Sequence, residues 1–382
     1  MSIGAWPHFA SRRTVSAERP PLWSIGLTAL LLFAGFGARD AAPPTAAKRT
    51  VGRGEQSTAT PRWREAGHGR GRTATSPPDI PAKGWKDILL RVYRGVSDDR
   101  IVANAAGVVF FALLALFPAI AALVSIYGLF ADPTTISQHL DSASGVMPGG
   151  ALDVIRDQLT RLTSQGSATL GVSFVIGLAI SLWSANGGIK ALFDALNVVY
   201  EEKEERSFIR LNATSLAFTL GVLLFLLIAL AAVIALPVAL NHLPLKSVTA
   251  LVLKIARWPM LLILVGLALA LIYCHGPSRR KAQWRWISPG SALAAISWII
   301  ASLLCSWYAA NFGSYNKTYG SLGAVIGFMT WMWLSIIVIL IGGKLNAEIE
   351  HQSARDSTAG RGKPLGRRGA KMADTVGEAH GT

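Results

Sequence analysis

An all-α fold, a polytopic membrane helix bundle, is what this sequence predicts, and three observations predict it. Mean hydropathy is +0.40, and 51% of the 382 residues are hydrophobic while only 15% are charged; soluble domains carry about 25% charge. The apolar residues fall in blocks of about 20, the length of helix that crosses a hydrocarbon core of about 30 Å. The net charge of +15 collects outside those blocks: residues 1–100 hold 16 of the 37 Lys+Arg, and the stretch from Lys344 onward holds 7 more. Such a basic balance can serve nucleic acid, but in a membrane chain it reads as cytoplasmic loops and tails facing anionic lipid headgroups. The expected partners are therefore the lipid bilayer and those headgroups, with no nucleic acid. A homo-oligomer fits the sequence as well as a monomer does.

The elements follow in order. Residues 1–82 form an N-terminal extension, and 39–82, rich in Ala, Pro, Thr, Gly and Arg, bury too little apolar surface to offset their ordering entropy. Inside it, Pro21–Ala38 is apolar. It reads as one extra N-terminal span, a signal peptide, or a stretch upstream of the true start. Cleavage there would export the 13 Lys+Arg of residues 39–100, which argues against a signal peptide. Residues 83–100 carry Trp85, Ile88, Leu89, Val92, Tyr93 and Val96 at helical spacing with Lys86, Arg91 and Arg94 between them, the pattern of a helix lying in the cytoplasmic interface.

Residues 101–352 form the six-helix transmembrane domain, with six core spans near 104–130, 169–190, 211–240, 257–275, 288–312 and 321–343. Loop 201–210 carries Lys203, Arg206 and Arg210, and loop 276–287 carries Arg279, Arg280, Lys281 and Arg285. The loops between them are poor in cations, so both core termini are expected in the cytoplasm. Trp284, Trp286, Trp307 and Tyr308 suit interfacial belts. Leu152, Ile155, Leu159 and Leu162, with Ile136 and Leu140 ahead of them, predict a small helical outer loop. Residues 353–382 read as a disordered basic cytoplasmic tail. Cys274 and Cys305 show neither disulfide nor metal spacing and read as packing residues.

The second span has an unusual end. "SANGG", Ser184–Gly188, predicts a break with a hinge at Asn186, Gly187 and Gly188. Beyond it Ile189, Leu192, Phe193, Leu196, Val199 and Tyr200 make an apolar stripe, and Lys190, Asp194, Asn197 and Glu201 a polar one. Either the segment lies in the interface with its apolar face in lipid, or it stays among the spans and its polar stripe lines a wet path. In the last span, Gly323 and Gly327 form a GxxxG that predicts close helix packing. Trp331 and Trp333 sit mid-span, where an indole N–H needs an acceptor on a neighbouring helix or a wet cavity. Lys344 and Glu348 repeat an i,i+4 pair expected to mark the interface. Ser288, Ser291, Ala295, Ser302 and Ser306 share one face of the fifth span, which predicts packing.

Catalysis finds little support. Not one Asp or Glu lies between Glu205 and Glu348, and the seven histidines have no ligand spacing. Walker, GxSxG and HExxH motifs are missing from the sequence. No catalytic residue, metal site or cofactor is expected.

Three segments taken in order do resemble a known family. "ANAAGVVFFALLALFPAIAALVSIYGLFAD", "SLWSANGGIKALFDALNVVYEEKEER" and "GSYNKTYGSLGAVIGFMTWMWLSIIVILIGGKLNAE" are similar to segments of the YihY/virulence factor BrkB family of inner-membrane proteins. The resemblance covers about residues 84–352 and implies six spans with cytoplasmic ends and a role in the envelope. Members have carried a ribonuclease label, which the residues above do not support. Two functions follow as expectations: a channel- or transporter-like protein for a small solute, or a non-transporting envelope scaffold.

Overall fold

Lipid offers the backbone no hydrogen bonds, so each apolar block must close its own N–H and C=O groups as helix. In the computed structural model, which describes residues 69–128, 170–242, 247–312 and 321–379, they do. Helix α1 runs Ala82–Asp98, α2 Ile101–Gly128, α3 Leu170–Val199 and α4 Phe208–His242. Then come α5 Ser247–His275, α6 Trp284–Phe312, α7 Ser321–Gln352 and the single turn α8, Lys371–Asp374. Five of them, α2, α3, α4, α6 and α7, are long and apolar enough to cross a membrane, and α5 adds a shorter apolar stretch, Leu262–His275. Among the described residues there is no strand, only an isolated bridge between Ala282 and Thr358. The stretch 21–38 and the outer-loop helices expected between 131 and 168 lie outside the described residues.

Helix α7 is the hub, packing on α1, α2, α3, α6 and α8. Around it close Leu196, Val199 and Tyr200 of α3 and its exit, Tyr273 of α5, Ile287 of α6 and Leu340 of α7, all at 0% exposure. Trp286, expected in an interfacial belt, is also fully buried; Trp284, Trp307 and Tyr308 are exposed.

The break expected at "SANGG" does not occur, because α3 is continuous from Leu170 to Val199. Glycine weakens a helix in water, but in lipid an opened helix would strand its peptide groups. Gly188 instead admits a neighbour: a Cβ there would lie 3.3 Å from the Cα of Ala112 on α2. The apolar stripe of α3 is correspondingly buried in the bundle, not turned to lipid, with Phe193, Leu196 and Val199 at 0%. Helix α3 ends on Glu201, whose φ of 54° takes the left-handed position that glycine usually fills.

The glycine contact predicted for α7 also lies elsewhere. A Cβ on Gly327 would meet nothing within 4 Å, and the side-chain environment of Gly323 is outside the described residues. The tight crossing joins Gly290 of α6 to Gly342 of α7, where a Cβ on Gly342 would lie 2.7 Å from the Gly290 carbonyl oxygen. Gly290 N–H also donates to Asn346 Oδ1 at 2.8 Å.

The chain after Gln352, expected to lack fixed structure, is packed against the bundle through residue 379. Arg368, 3% exposed, donates to the carbonyls of Ala354 and Arg355 at 2.6 and 3.0 Å. Met372 and Ala373 of α8 are buried, and Lys371 meets Glu201 at 2.6 Å and Glu202 at 2.7 Å. The turn before α8 is organised by Asp356, which accepts from the N–H groups of Thr358 and Lys363 at 2.9 and 2.7 Å. Burial pushes the Asp356 carboxyl up, but these hydrogen bonds win and hold it below its ordinary value. A depressed carboxylate stabilises the fold fully above its unfolded pKa of about 3.9 and loses that contribution as pH falls through the folded value. Amide exchange at Thr358 and Lys363, corrected for intrinsic rates, should therefore accelerate as pH drops below about 4, and Asp356→Asn should flatten that dependence.

Candidate functional site: a polar seam between two spans

Helix α3 presents Asn186, Lys190, Asp194 and Asn197 at steps of four, four and three residues, which keeps them on one face. Helix α4 presents Asn212, Ser215 and Thr219 at steps of three and four. The two rows meet at depth, where Thr219 Oγ1 lies 3.3 Å from Asn186 Oδ1. Asn186 and Ser215 are 0% exposed, Thr219 4% and Asn212 8%. The α4 groups are held by their own helix: Thr219 Oγ1 donates to Ser215 O at 3.0 Å, Ser215 Oγ to Leu211 O at 2.8 Å, and Asn212 Nδ2 to Phe208 O at 2.8 Å. This i−4 back-bonding is how hydroxyl protons are satisfied inside an apolar helix.

Toward the end of α3 the seam becomes charged. Lys190 is half-buried, its Nζ 5.0 Å from the Trp183 ring centroid, and Asp194 is exposed. Asn197 is buried and fixed on both sides, accepting from the Ser278 N–H at 2.7 Å and donating to Glu204 at 3.0 Å. Arg206 clasps Glu204 at 2.6 and 2.8 Å and donates to the carbonyl oxygens of His275 and Gly276. Burial pushes the Glu204 carboxyl up, yet the Arg206 and Asn197 bonds hold it below the usual range. Glu204 is an anchored anion that ties the α3–α4 loop to the α5–α6 loop.

Of the residues predicted to form a path, Asn186, Lys190, Asp194 and Asn197 share this seam. Gly187 shares the turn but would meet no neighbour within 4 Å of a Cβ, and Gly188 serves the α2 contact. The two tryptophans belong elsewhere: Trp331 Nε1 donates to Ser302 on α6 at 3.0 Å, and Trp333 Nε1 to the Val102 carbonyl of α2 at 3.0 Å. Trp298 returns the favour across α6 and α7, donating to Ser335 at 3.1 Å. The sequence reading missed Asn212, Ser215 and Thr219, although "LNATSLAFT" spells a polar i, i+3, i+7 row at the head of an apolar block.

A second cluster caps the same end of the bundle. Lys344 and Glu348, expected at the interface, are 3% and 4% exposed. Lys344 bridges Asp99 at 2.8 Å and Glu348 at 3.2 Å, and Arg91 of α1 reaches Glu348 at 2.6 Å and Gln352 at 2.7 Å. Burial raises the Asp99 carboxyl more than Lys344 lowers it. Deeper still, Arg279 and Glu350 form a bidentate pair at 2.8 and 2.9 Å with both side chains at 0% exposure. Glu350 also accepts from Ser357 at 2.8 Å, and the Arg279 guanidinium stacks 4.3 Å from the Tyr200 ring centroid. Burial works against the Arg279 charge, but Glu350 outweighs it and holds the cation above its ordinary pKa. Arg72, Arg91 and the backbone of Gly377 and Glu378 close the cluster over α7, so chain from both flanks of the bundle meets there.

These features define a class: an all-helical integral membrane protein whose spans enclose a polar seam and whose last span ends in buried ion pairs. The family model for virulence factor BrkB matches residues 92–365, and the chain belongs to that family. The ribonuclease-like protein YfkH of Bacillus subtilis (strain 168) is 32% identical over 256 residues, 64% of this chain and 88% of that one. A UPF0761 membrane protein of Pseudoalteromonas translucida is 25% identical over 266 residues, 68% of this chain and 85% of its own. Another, from Vibrio vulnificus (strain YJ016), is 25% identical over 264 residues, covering 66% and 79%. No solved structure matches.

Proposed function

We propose that this chain is a six-span bacterial inner-membrane protein, both ends of its core in the cytoplasm, that moves a small solute along the α3–α4 seam. The observation that carries the reading is the row of buried amide and hydroxyl groups at the Asn186–Thr219 contact, inside helices otherwise built of apolar residues. Polar groups buried at membrane depth are costly, and an amide that keeps an unpartnered atom there favours a pathway over simple helix packing. Cationic loops and the outward Leu89 and Tyr93 of α1, 56% and 80% exposed, fit a face resting on anionic headgroups. In this reading it acts without catalysis, and the ribonuclease-like name stays with the Bacillus relative.

Asp194 is exposed at the charged end of the seam, so its removal should leave the packing intact. Asp194→Ala in proteoliposomes should change solute flux several-fold at unchanged expression and elution profile. Flux equal to that of empty vesicles across a broad solute panel would overturn transport and favour a scaffold held by its basic surfaces. RNA cleavage that survives purification and is lost on a point substitution would favour an enzyme.

A further inference from the structure

We infer that the seam selects an uncharged, hydrogen-bonding small solute of the polyol or amide class and excludes inorganic ions, an inference that rests on the transport reading above. It begins with proton bookkeeping at Thr219. Its single hydroxyl proton is directed at Ser215 O, 3.0 Å away, so Thr219 Oγ1 offers Asn186 only a lone pair. The contact is satisfied when the Asn186 amide turns its Nδ2 toward Thr219, and then Oδ1 lacks a partner; in the other orientation Nδ2 lacks one. Either way, one amide atom of a fully buried side chain stands unpartnered among the described residues. Asn212 repeats the situation, with Nδ2 bonded to Phe208 O and Oδ1 unpartnered. Each such atom destabilises the seam unless something mobile bonds it.

Asn212 and Thr219 are seven residues apart, about 10 Å along the helix, and Ser215 lies between them with its proton also given to the backbone. The seam therefore offers four polar stations, two amides and two hydroxyl lone-pair sites, spaced like rungs. A solute with both donors and acceptors can pass from rung to rung, exchanging bonds with each. An ion cannot. No Asp, Glu, Lys or Arg occurs in residues 101–128, 170–189 or 211–242, so these three stretches supply no counter-charge deeper than Lys190. Four stations strung over two turns cannot supply the six to eight oxygens at one point that a hard cation needs. Transfer of a bare ion to such a medium is prohibitive.

The test uses the full chain in vesicles of phosphatidylethanolamine and phosphatidylglycerol, with glycerol and urea as probes. Stopped-flow light scattering after a hyperosmotic glycerol or urea jump should show reswelling at least several-fold faster than in empty vesicles. A potassium or chloride gradient in the same vesicles, followed by a voltage dye, should dissipate at the empty-vesicle rate. Asn186→Leu and Thr219→Val, each checked for a monodisperse elution profile, should return reswelling toward the empty-vesicle rate. Ion flux above background with no gain in glycerol or urea reswelling would overturn the inference and leave transport standing. Neutral-solute flux unchanged in both monodisperse variants would overturn the assignment to this seam. No gain for any probe, ionic or neutral, would remove both the inference and the transport reading.

Discussion

Glu350→Ala should destabilise the protein by about 3–5 kcal/mol, the cost of leaving a buried cation without its counter-ion. Arg279 would remain at 0% exposure against the Tyr200 ring face, without the bidentate carboxylate that now holds it. Arg279→Ala should cost a similar amount by stranding Glu350. The double substitution Arg279→Met with Glu350→Leu should cost much less than either, because an apolar pair of similar volume removes both desolvation penalties at once. Thermal unfolding in detergent, read by the tryptophans and by the elution profile, checks all three. Equal destabilisation by the double and single variants would show that the pair fixes geometry beyond its charge.

Gly290→Ala should be strongly disruptive. Its Cβ would overlap the Gly342 carbonyl oxygen and lie 2.5 Å from the Asn346 side-chain carbon, neither of which can give way. Overpacking costs about 1–3 kcal/mol where neighbours can shift; here backbone faces backbone across α6 and α7, and the Gly290–Asn346 hydrogen bond goes as well. The expected result is loss of a folded elution peak or a large drop in melting temperature. Gly327→Ala, on the same helix α7 and in the more recognisable GxxxG, should be nearly silent because a Cβ there meets nothing within 4 Å. A silent Gly290→Ala with a damaging Gly327→Ala would reverse the packing described here.

That contrast shows where the sequence speaks and where it does not. Apolar blocks of span length and alternating basic loops are properties of each segment alone, so the helices could be read from them. The GxxxG at 323–327 is also local, yet its effect depends on which face meets another helix, and that is a tertiary fact. The same limit explains "SANGG": glycines that break a helix in water persist in one that lipid forces to stay closed, and Gly188 serves a contact with Ala112 that its own sequence cannot name. The seam was half visible. Asn186, Lys190, Asp194 and Asn197 share a face by spacing, but Asn212, Ser215 and Thr219 gain meaning only when α4 is laid against them. The tail after Gln352 was misread because its composition is that of a solvated segment, while the groups that hold it, Asp356, Arg368 and the exit of α3, lie scattered along the chain.

The ion pairs at the end of α7 have an order in time. A growing chain presents Arg91 and Arg279 long before Glu348 and Glu350. Until then those cations stand without the carboxylates they pair with in the finished protein. Only when the last span has been synthesised do its two carboxylates arrive and neutralise them. Translation that stops short of residue 348 leaves an unsealed bundle in which neither cation has its ion-pair partner, a state chemically distinct from the finished protein.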